Sequence, residues 1–177
     1  MDVWLFHWFY GWLHQPLWLP FWRGITHLGD PKVVLIVAMA GAAEVVVARV
    51  KKRPFIPFVG TWLGLPVAAA ITAFLKKWVD RARPGELEQL VGWVNTDSGR
   101  AFPSGHATAI FALATALSFR WPKWWAIWFG TALAVVLSRL ALGLHWPSDL
   151  VAGALIGSGT VIGCAWVERR ISHIKEG

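Results

Sequence analysis

The chain has 177 residues, of which 56% are hydrophobic and only 15% charged, with a mean hydropathy of +0.49. That balance excludes an ordinary soluble domain and fits a helical membrane bundle. The net charge of +7 would raise nucleic acid as a partner in a soluble protein, but here the cations sit in one motif or flank apolar runs, so an anionic substrate and anionic headgroups account for it instead.

In chain order, Met1–Trp22 is apolar and Trp-rich but is interrupted by His14-Gln15-Pro16 and Pro20. It lacks the basic start and small-residue cleavage site of a signal peptide. It reads as one or two helices lying in the membrane interface, with a sixth span as the alternative. Five spans follow, each close to the ~20 apolar residues that cross a bilayer. The first runs from Pro31 to Val50, with Asp30 as its N-cap and Pro31 at its first position. The second covers Phe55 to Leu75, the third is short from Ser104 to Phe119, the fourth runs from Lys123 to Leu142, and the fifth from Ser148 to Val167. The fold expected is therefore all-α: a single membrane-embedded domain, with residues 1–29 as the interfacial segment and 30–177 as the five-span core. The chain contains 14 Trp and one Tyr, which suits an interfacial aromatic belt.

Charge orients the bundle. Arg49, Lys51, Lys52 and Arg53 follow the first span, Arg120 and Lys123 follow the third, and Arg169, Arg170 and Lys175 follow the fifth. With five spans these clusters share one side, the cytoplasm by the positive-inside rule. The loops 76–103 and 142–146 then face outward, and with them three polar islands.

The third island holds His145 and Asp149, four residues apart. If Asp149 opens the fifth helix, it can accept an N–H from one imidazole nitrogen and leave the other as a nucleophile or base. Taken alone, a capping Asp beside an interfacial His explains the pair as well. The second island, Pro103-Ser104-Gly105-His106, can cap the third span, bring backbone N–H groups close to an anion and place His106 to donate a proton. An ordinary Ser cap is its plain alternative. The first island supplies Lys76 and Arg83, joined by Arg139 from the third. Together they can neutralise three phosphoryl oxygens without a metal. Lys77 and Arg81 read as no more than the basic end of the second span.

Lys76-x6-Arg83-Pro84, Pro103-Ser104-Gly105-His106 and Ser138-Arg139-x5-His145-x3-Asp149 together resemble, in order and spacing, the three-part signature of the type 2 phosphatidic acid phosphatase superfamily. Gly24-Ile25-Thr26-His27-Leu28-Gly29 is similar to the matching stretch of small bacterial members, so the resemblance covers Gly24 to the C-terminus. It implies that Lys76, Arg83 and Arg139 bind phosphate with Ser104 and the backbone of Gly105. It implies also that His145 attacks phosphorus to form a phosphohistidine, Asp149 orients His145, and His106 protonates the leaving group. No metal or cofactor is implied, and vanadate is expected to inhibit. The substrate expected is a phosphorylated membrane lipid: undecaprenyl diphosphate first, then phosphatidylglycerophosphate, phosphatidate or the lipid A 1-phosphate. The expected location is a bacterial inner membrane with the site facing out. A phospholipid-binding or transport protein without turnover is the other class, although binding alone requires neither His145 nor Asp149.

The remaining polar residues read as structural. Glu44 lies within the first span, far from the islands, and is expected to be paired or interfacial. Gly153-x3-Gly157 and Gly159-x3-Gly163 permit close helix packing within the bundle. His7, His14, His27 and His173 lack metal-ligand spacing, Asp80, Glu86, Glu88 and Asp97 read as solvated loop charge, and Cys164 as packing.

Overall fold

A computed structural model describes residues 1–50, 59–87 and 100–176, and every regular element among them is helical. The elements are α1 (Asp2–Leu13), α2 (Leu19–Thr26), α3 (Pro31–Val50), α4 (Val59–Trp78), α5 (Pro84–Leu87), α6 (Gly105–Arg120), α7 (Trp125–Ala141) and α8 (Pro147–Glu176), with short 3-10 turns before α2, α3 and α7. The expected start of the second span at Phe55, the basic residues 51–53, and the loop acids Glu88 and Asp97 lie outside the described residues. So do the side chains of Arg49, His173 and Lys175.

α3 begins where its cap and proline place it: Asp30 Oδ1 accepts from Lys32 N–H at 2.8 Å. α1 ends at Leu13, just before the His14-Gln15-Pro16 break. Trp4, Trp8, Trp12 and Trp18 along this aromatic-rich stretch are exposed, as a belt requires, whereas Phe6 is fully buried. α8 runs on to Glu176, beyond the expected end of the fifth span.

Among the described residues, three helices are long and apolar enough to cross a membrane: α4, Pro122–Ala141 and the Pro147–Ser172 part of α8. Pro16–Gly29 and Pro31–Glu44, bent by 42°, would make a fourth if counted as one broken span. The third expected span, α6, has 16 residues. That is about 24 Å of helix against a ~30 Å hydrocarbon core. Its position explains the shortness, because α3, α4, α7 and α8 surround it, half of its residues are buried and none is exposed.

Lipid tails are as apolar as Leu, so helices in a bilayer associate through close packing rather than through the hydrophobic effect. α8 meets α6 at Gly153 and Gly157. A Cβ there would lie 2.6 Å from Ser104 O and 2.3 Å from Thr108 O, so only glycine permits this approach. Thr115 Oγ1 to Ser158 Oγ (3.0 Å) adds a hydrogen bond along the same seam. Gly159 and Gly163 have no such neighbour and lie on α8's outer side. Val34, Trp62, Leu65, Ile110, Val135 and Val161 form the core between the long helices.

The bundle has two unlike ends. The starts of α3, α6 and α8 meet the ends of α4 and α7 at one of them. At the other, Arg120 donates to Glu44 at 2.8 Å, which gives that acid the structural pairing expected of it. Arg169 there stands over the Phe119 ring, 5.9 Å from its centroid.

Candidate active site

All three polar islands converge at the first end. α8 opens with Trp146 as its N-cap, Pro147 at the first position and Asp149 at the third. Asp149 Oδ2 accepts the Trp146 N–H at 2.9 Å, as the acid of a capping box does. The same oxygen lies 3.6 Å from His145 Nδ1. Capping and facing the imidazole are therefore one role, and the two readings of this pair merge. At 3.6 Å the pair stops just short of a hydrogen bond, and among the described residues His145 Nδ1 has no other partner. Contacts of this kind tighten when charge develops on the ring. Gly143, at φ 66°, makes the left-handed turn that ends α7 and aims the His145 loop back at the bundle.

Ser104 caps α6 by accepting from Ala107 N–H at 3.4 Å, and its own N–H donates to Asp149 O at 3.0 Å. The starts of α6 and α8 are thus stitched together, and their unsatisfied N–H groups face one region. Gly105 and His106 occupy the first turn of α6. Arg139, buried in the last turn of α7, donates through Nη1 to Thr26 Oγ1 at 2.9 Å and stands 3.5 Å from His106 Nε2. Arg83, also buried, donates to Leu144 O at 3.0 Å and so braces the loop that carries His145. Lys76, in the last turn of α4, donates to Arg100 O at 2.6 Å.

Burial, then the charges of Arg139, Arg83, Lys76 and His106, hold the His145 imidazole well below its ordinary value of 6.5. A neutral ring with Nδ1 turned to a carboxylate leaves the Nε2 lone pair available to act as a base or a nucleophile. The set can hold a phosphate among four cationic or backbone donors and attack it from one fixed imidazole. Among the described residues, no three His, Cys, Asp or Glu side chains cluster as a metal site.

Residues outside the candidate set also take part. Arg81, read from sequence as a basic span end, instead donates to Asp149 Oδ1 at 2.7 Å and pairs with Asp2. The segment after α4 has no regular secondary structure, and Arg81 and Arg83, two residues apart, both reach the 144–149 stretch, at Asp149 and at Leu144. That spacing was a usable signal. Asp2, Ser148 and Thr26 left none, because each acts through a partner distant in sequence or through a common residue type. His14, read as interfacial, donates through Nδ1 to Ala141 O at 2.7 Å and ties the end of α1 to α7.

The model of the PAP2 superfamily matches residues 59–172. The chain belongs to the PAP2 superfamily. It is similar to a decaprenylphosphoryl-5-phosphoribose phosphatase of Mycobacterium tuberculosis, 33% identical over 143 residues that cover 77% of this chain and 72% of the relative. It is also similar to a lipid A 4'-phosphatase of Bacteroides thetaiotaomicron, 33% identical over 84% of this chain and 69% of the relative. The crystal structure of Aquifex aeolicus LpxE superposes with a TM-score of 0.73 at 25% identity, covering 92% of this chain and 93% of that one. This PAP2 protein is thus a membrane phosphatase of the lipid-phosphatase family, a phosphoric ester hydrolase built on a helical bundle.

Proposed function

We propose that this phosphatase removes phosphate from a membrane lipid through a phosphohistidine on His145, with undecaprenyl diphosphate as the first substrate. One observation carries the lipid reading. An apolar cavity of about 240 Å³ lies between α3, α4 and α6, lined by residues such as Leu35, Ala38, Leu65 and Ala73, with Lys76 and Gly105 at its site end. A hydrocarbon chain lying in it would deliver its headgroup to the cation cluster. A cavity of this volume takes a stretch of one hydrocarbon chain, and the mycobacterial relative is named for a decaprenylphosphoryl substrate, which favours a polyprenyl lipid.

The reaction balances on the residues present. His145 Nε2 forms a bond to phosphorus while the bond to the leaving oxygen breaks, and His106 supplies that oxygen's proton. His106 then takes a proton from water, whose oxygen attacks phosphorus and breaks the P–N bond, releasing inorganic phosphate. Lys76, Arg83, Arg139, Ser104 and the Gly105 N–H hold the equatorial oxygens throughout. Asp149 holds the imidazolium, and these charges suffice without a metal ion. The site end faces outward from a bacterial inner membrane, since Arg120, Lys123, Arg169 and Arg170 gather towards the other end. Residues 1–29 and 30–177 work as one domain.

Lipid A is the second reading, favoured by the Bacteroides relative, which is named a lipid A 4'-phosphatase. Phosphate release by purified protein in detergent with excess chelator, across undecaprenyl diphosphate, phosphatidylglycerophosphate, phosphatidate and lipid A, tests both. Fast release from undecaprenyl diphosphate supports the first reading and fast release from lipid A the second. Silence on all four with folded protein overturns the proposal.

A further inference from the structure

We propose that Arg81 and Asp2 are positioning residues for the Asp149–His145 pair, an inference that rests on His145 being the nucleophile. Arg81 clamps the carboxylate that faces His145, and Asp2 on α1 balances the charge of Arg81.

Asp149 is fully buried, and its two oxygens are assigned separately. Oδ2 takes the Trp146 N–H and faces His145, while Oδ1 takes Arg81 Nη1 at 2.7 Å. A carboxylate fixed at both oxygens cannot rotate away from the ring it orients. Arg81 is turned to carboxylates rather than to the phosphate region, because both of its terminal nitrogens are engaged by Asp149, Ser148 and Asp2. Nη1 also reaches Ser148 Oγ at 2.6 Å, and Nη2 pairs with Asp2 Oδ2. Asp2 is itself held by Ser148, whose N–H and Oγ donate to its two oxygens at 3.1 and 2.6 Å. Burial pulls the Asp2 carboxyl up, but the hydrogen bonds from Ser148 and Arg81 prevail and hold it below its ordinary value, so it is an anion at neutral pH. α1 is pinned at this spot by Phe6, fully buried with its ring 5.3 Å from that of Trp146.

The charge count gives Asp2 its purpose. Arg81 and Asp149 alone would form a neutral pair, with little attraction left for an imidazolium. With Asp2 the cluster carries a net charge of −1 beside a ring that becomes cationic when phosphorylated. The helix that looks like a membrane-surface anchor therefore completes the nucleophile's surroundings.

The test compares Arg81→Gln, Arg81→Lys, Asp2→Asn and the Arg81→Gln/Asp2→Asn double variant with wild type and His145→Ala. All are full-length protein in detergent hydrolysing undecaprenyl diphosphate, with rapid-quench measurement of phosphohistidine. Arg81→Gln should lower kcat about 10–100-fold, by analogy with the loss of a partner that orients a metal-bound histidine, with KM within about twofold. Phosphohistidine should form more slowly to match, and Arg81→Lys should recover part of the rate. Asp2→Asn should lower kcat by about 3–10-fold, and the double variant should be no worse than Arg81→Gln, because Asp2 acts through Arg81. If Arg81→Gln does not fold, Arg81→Lys and Asp2→Asn carry the same comparison. A raised KM with unchanged kcat would make Arg81 a phosphate ligand, and unchanged kcat in both Arg81→Gln and Asp2→Asn would remove the role altogether. Either result overturns this inference while a dead His145→Ala leaves the phosphohistidine reading intact. Turnover by His145→Ala, or none by wild type, sinks that reading and this inference with it.

Discussion

Arg139 Nη1 donates to Thr26 Oγ1 at 2.9 Å, so the buried cation in the last turn of α7 that stands beside His106 is aimed by a hydroxyl at the end of α2. A hydrogen bond to a charged group is worth about 1.5–3 kcal/mol. Thr26→Val should therefore lower kcat/KM by about tenfold or more, while Thr26→Ser, which keeps the hydroxyl, stays near wild type. Equal activity in the two variants would show that Arg139 needs no such support.

The nucleophile assignment has a direct chemical test. His145→Ala should reduce phosphate release by about a thousandfold or more, since the rest of the set cannot substitute for the missing attack. Acid-labile phosphate should accumulate on wild-type protein and disappear in this variant. Phosphate trapped on His106 instead would exchange the two roles.

The buried, cation-surrounded imidazole of His145 has a consequence for pH. Its value is depressed, so the folded enzyme keeps it neutral as pH falls through 6.5, and kcat/KM should not drop until well below that point. The stability effect has a definite sign. Below 6.5 the unfolded chain binds a proton at His145 that the folded chain does not, so acid costs stability through this residue until the folded value is reached. His145→Gln should therefore lose less of its melting temperature than wild type between pH 7 and 5. An equal or greater acid loss in the variant would contradict the neutral buried ring.

The cavity beside Lys76 gives the lipid chain a place that can be filled. Ala73, one turn from Lys76 on α4, lines it. Ala73→Phe should raise KM for undecaprenyl diphosphate by about tenfold, the loss of one to two buried methylenes' worth of contact, and leave turnover of a short-chain phosphate unchanged. Equal losses on both substrates would mean the chain lies elsewhere.

The glycines of α8 offer a paired comparison. Gly157→Ala places a Cβ against Thr108 O and should destabilise the bundle by about 1–3 kcal/mol in a denaturation assay. Gly159→Ala, with open space around it, should be neutral or slightly stabilising. If the two variants melt alike, the α6–α8 seam is looser than its backbone contacts imply.

What could be read from sequence was whatever is encoded at short range. The x3 spacing of His145 and Asp149 put them one turn apart at a helix start, and Asp30-Pro31 marked the first residue of α3. Long-range contacts could not be read. Thr26 meets Arg139 across 113 positions and Asp2 meets Arg81 across 79, and neither partner has a local pattern that points to the other. Arg81 was misjudged for a physical reason: a cation after an apolar helix has a sufficient explanation in the interface, and only the fold reveals the buried carboxylate beside it. α6 gave the opposite difficulty. Its composition suits a span, but its length suits a helix enclosed by others.

The contact of Gly153 and Gly157 with the backbone of α6 makes the helices that carry His106 and Asp149 a single stiff plate. Two backbones in close contact, stitched by Ser104 N–H to Asp149 O, hold His106 and the Asp149 carboxylate beside His145 at a fixed separation. Movement that admits a lipid chain is then expected at the opposite wall, at α3, which meets the helix before it at a 42° bend around Asp30. Spin labels on α6 and α8 should keep their separation when vanadate and lipid are added, while a pair on α3 and α6 should report the movement.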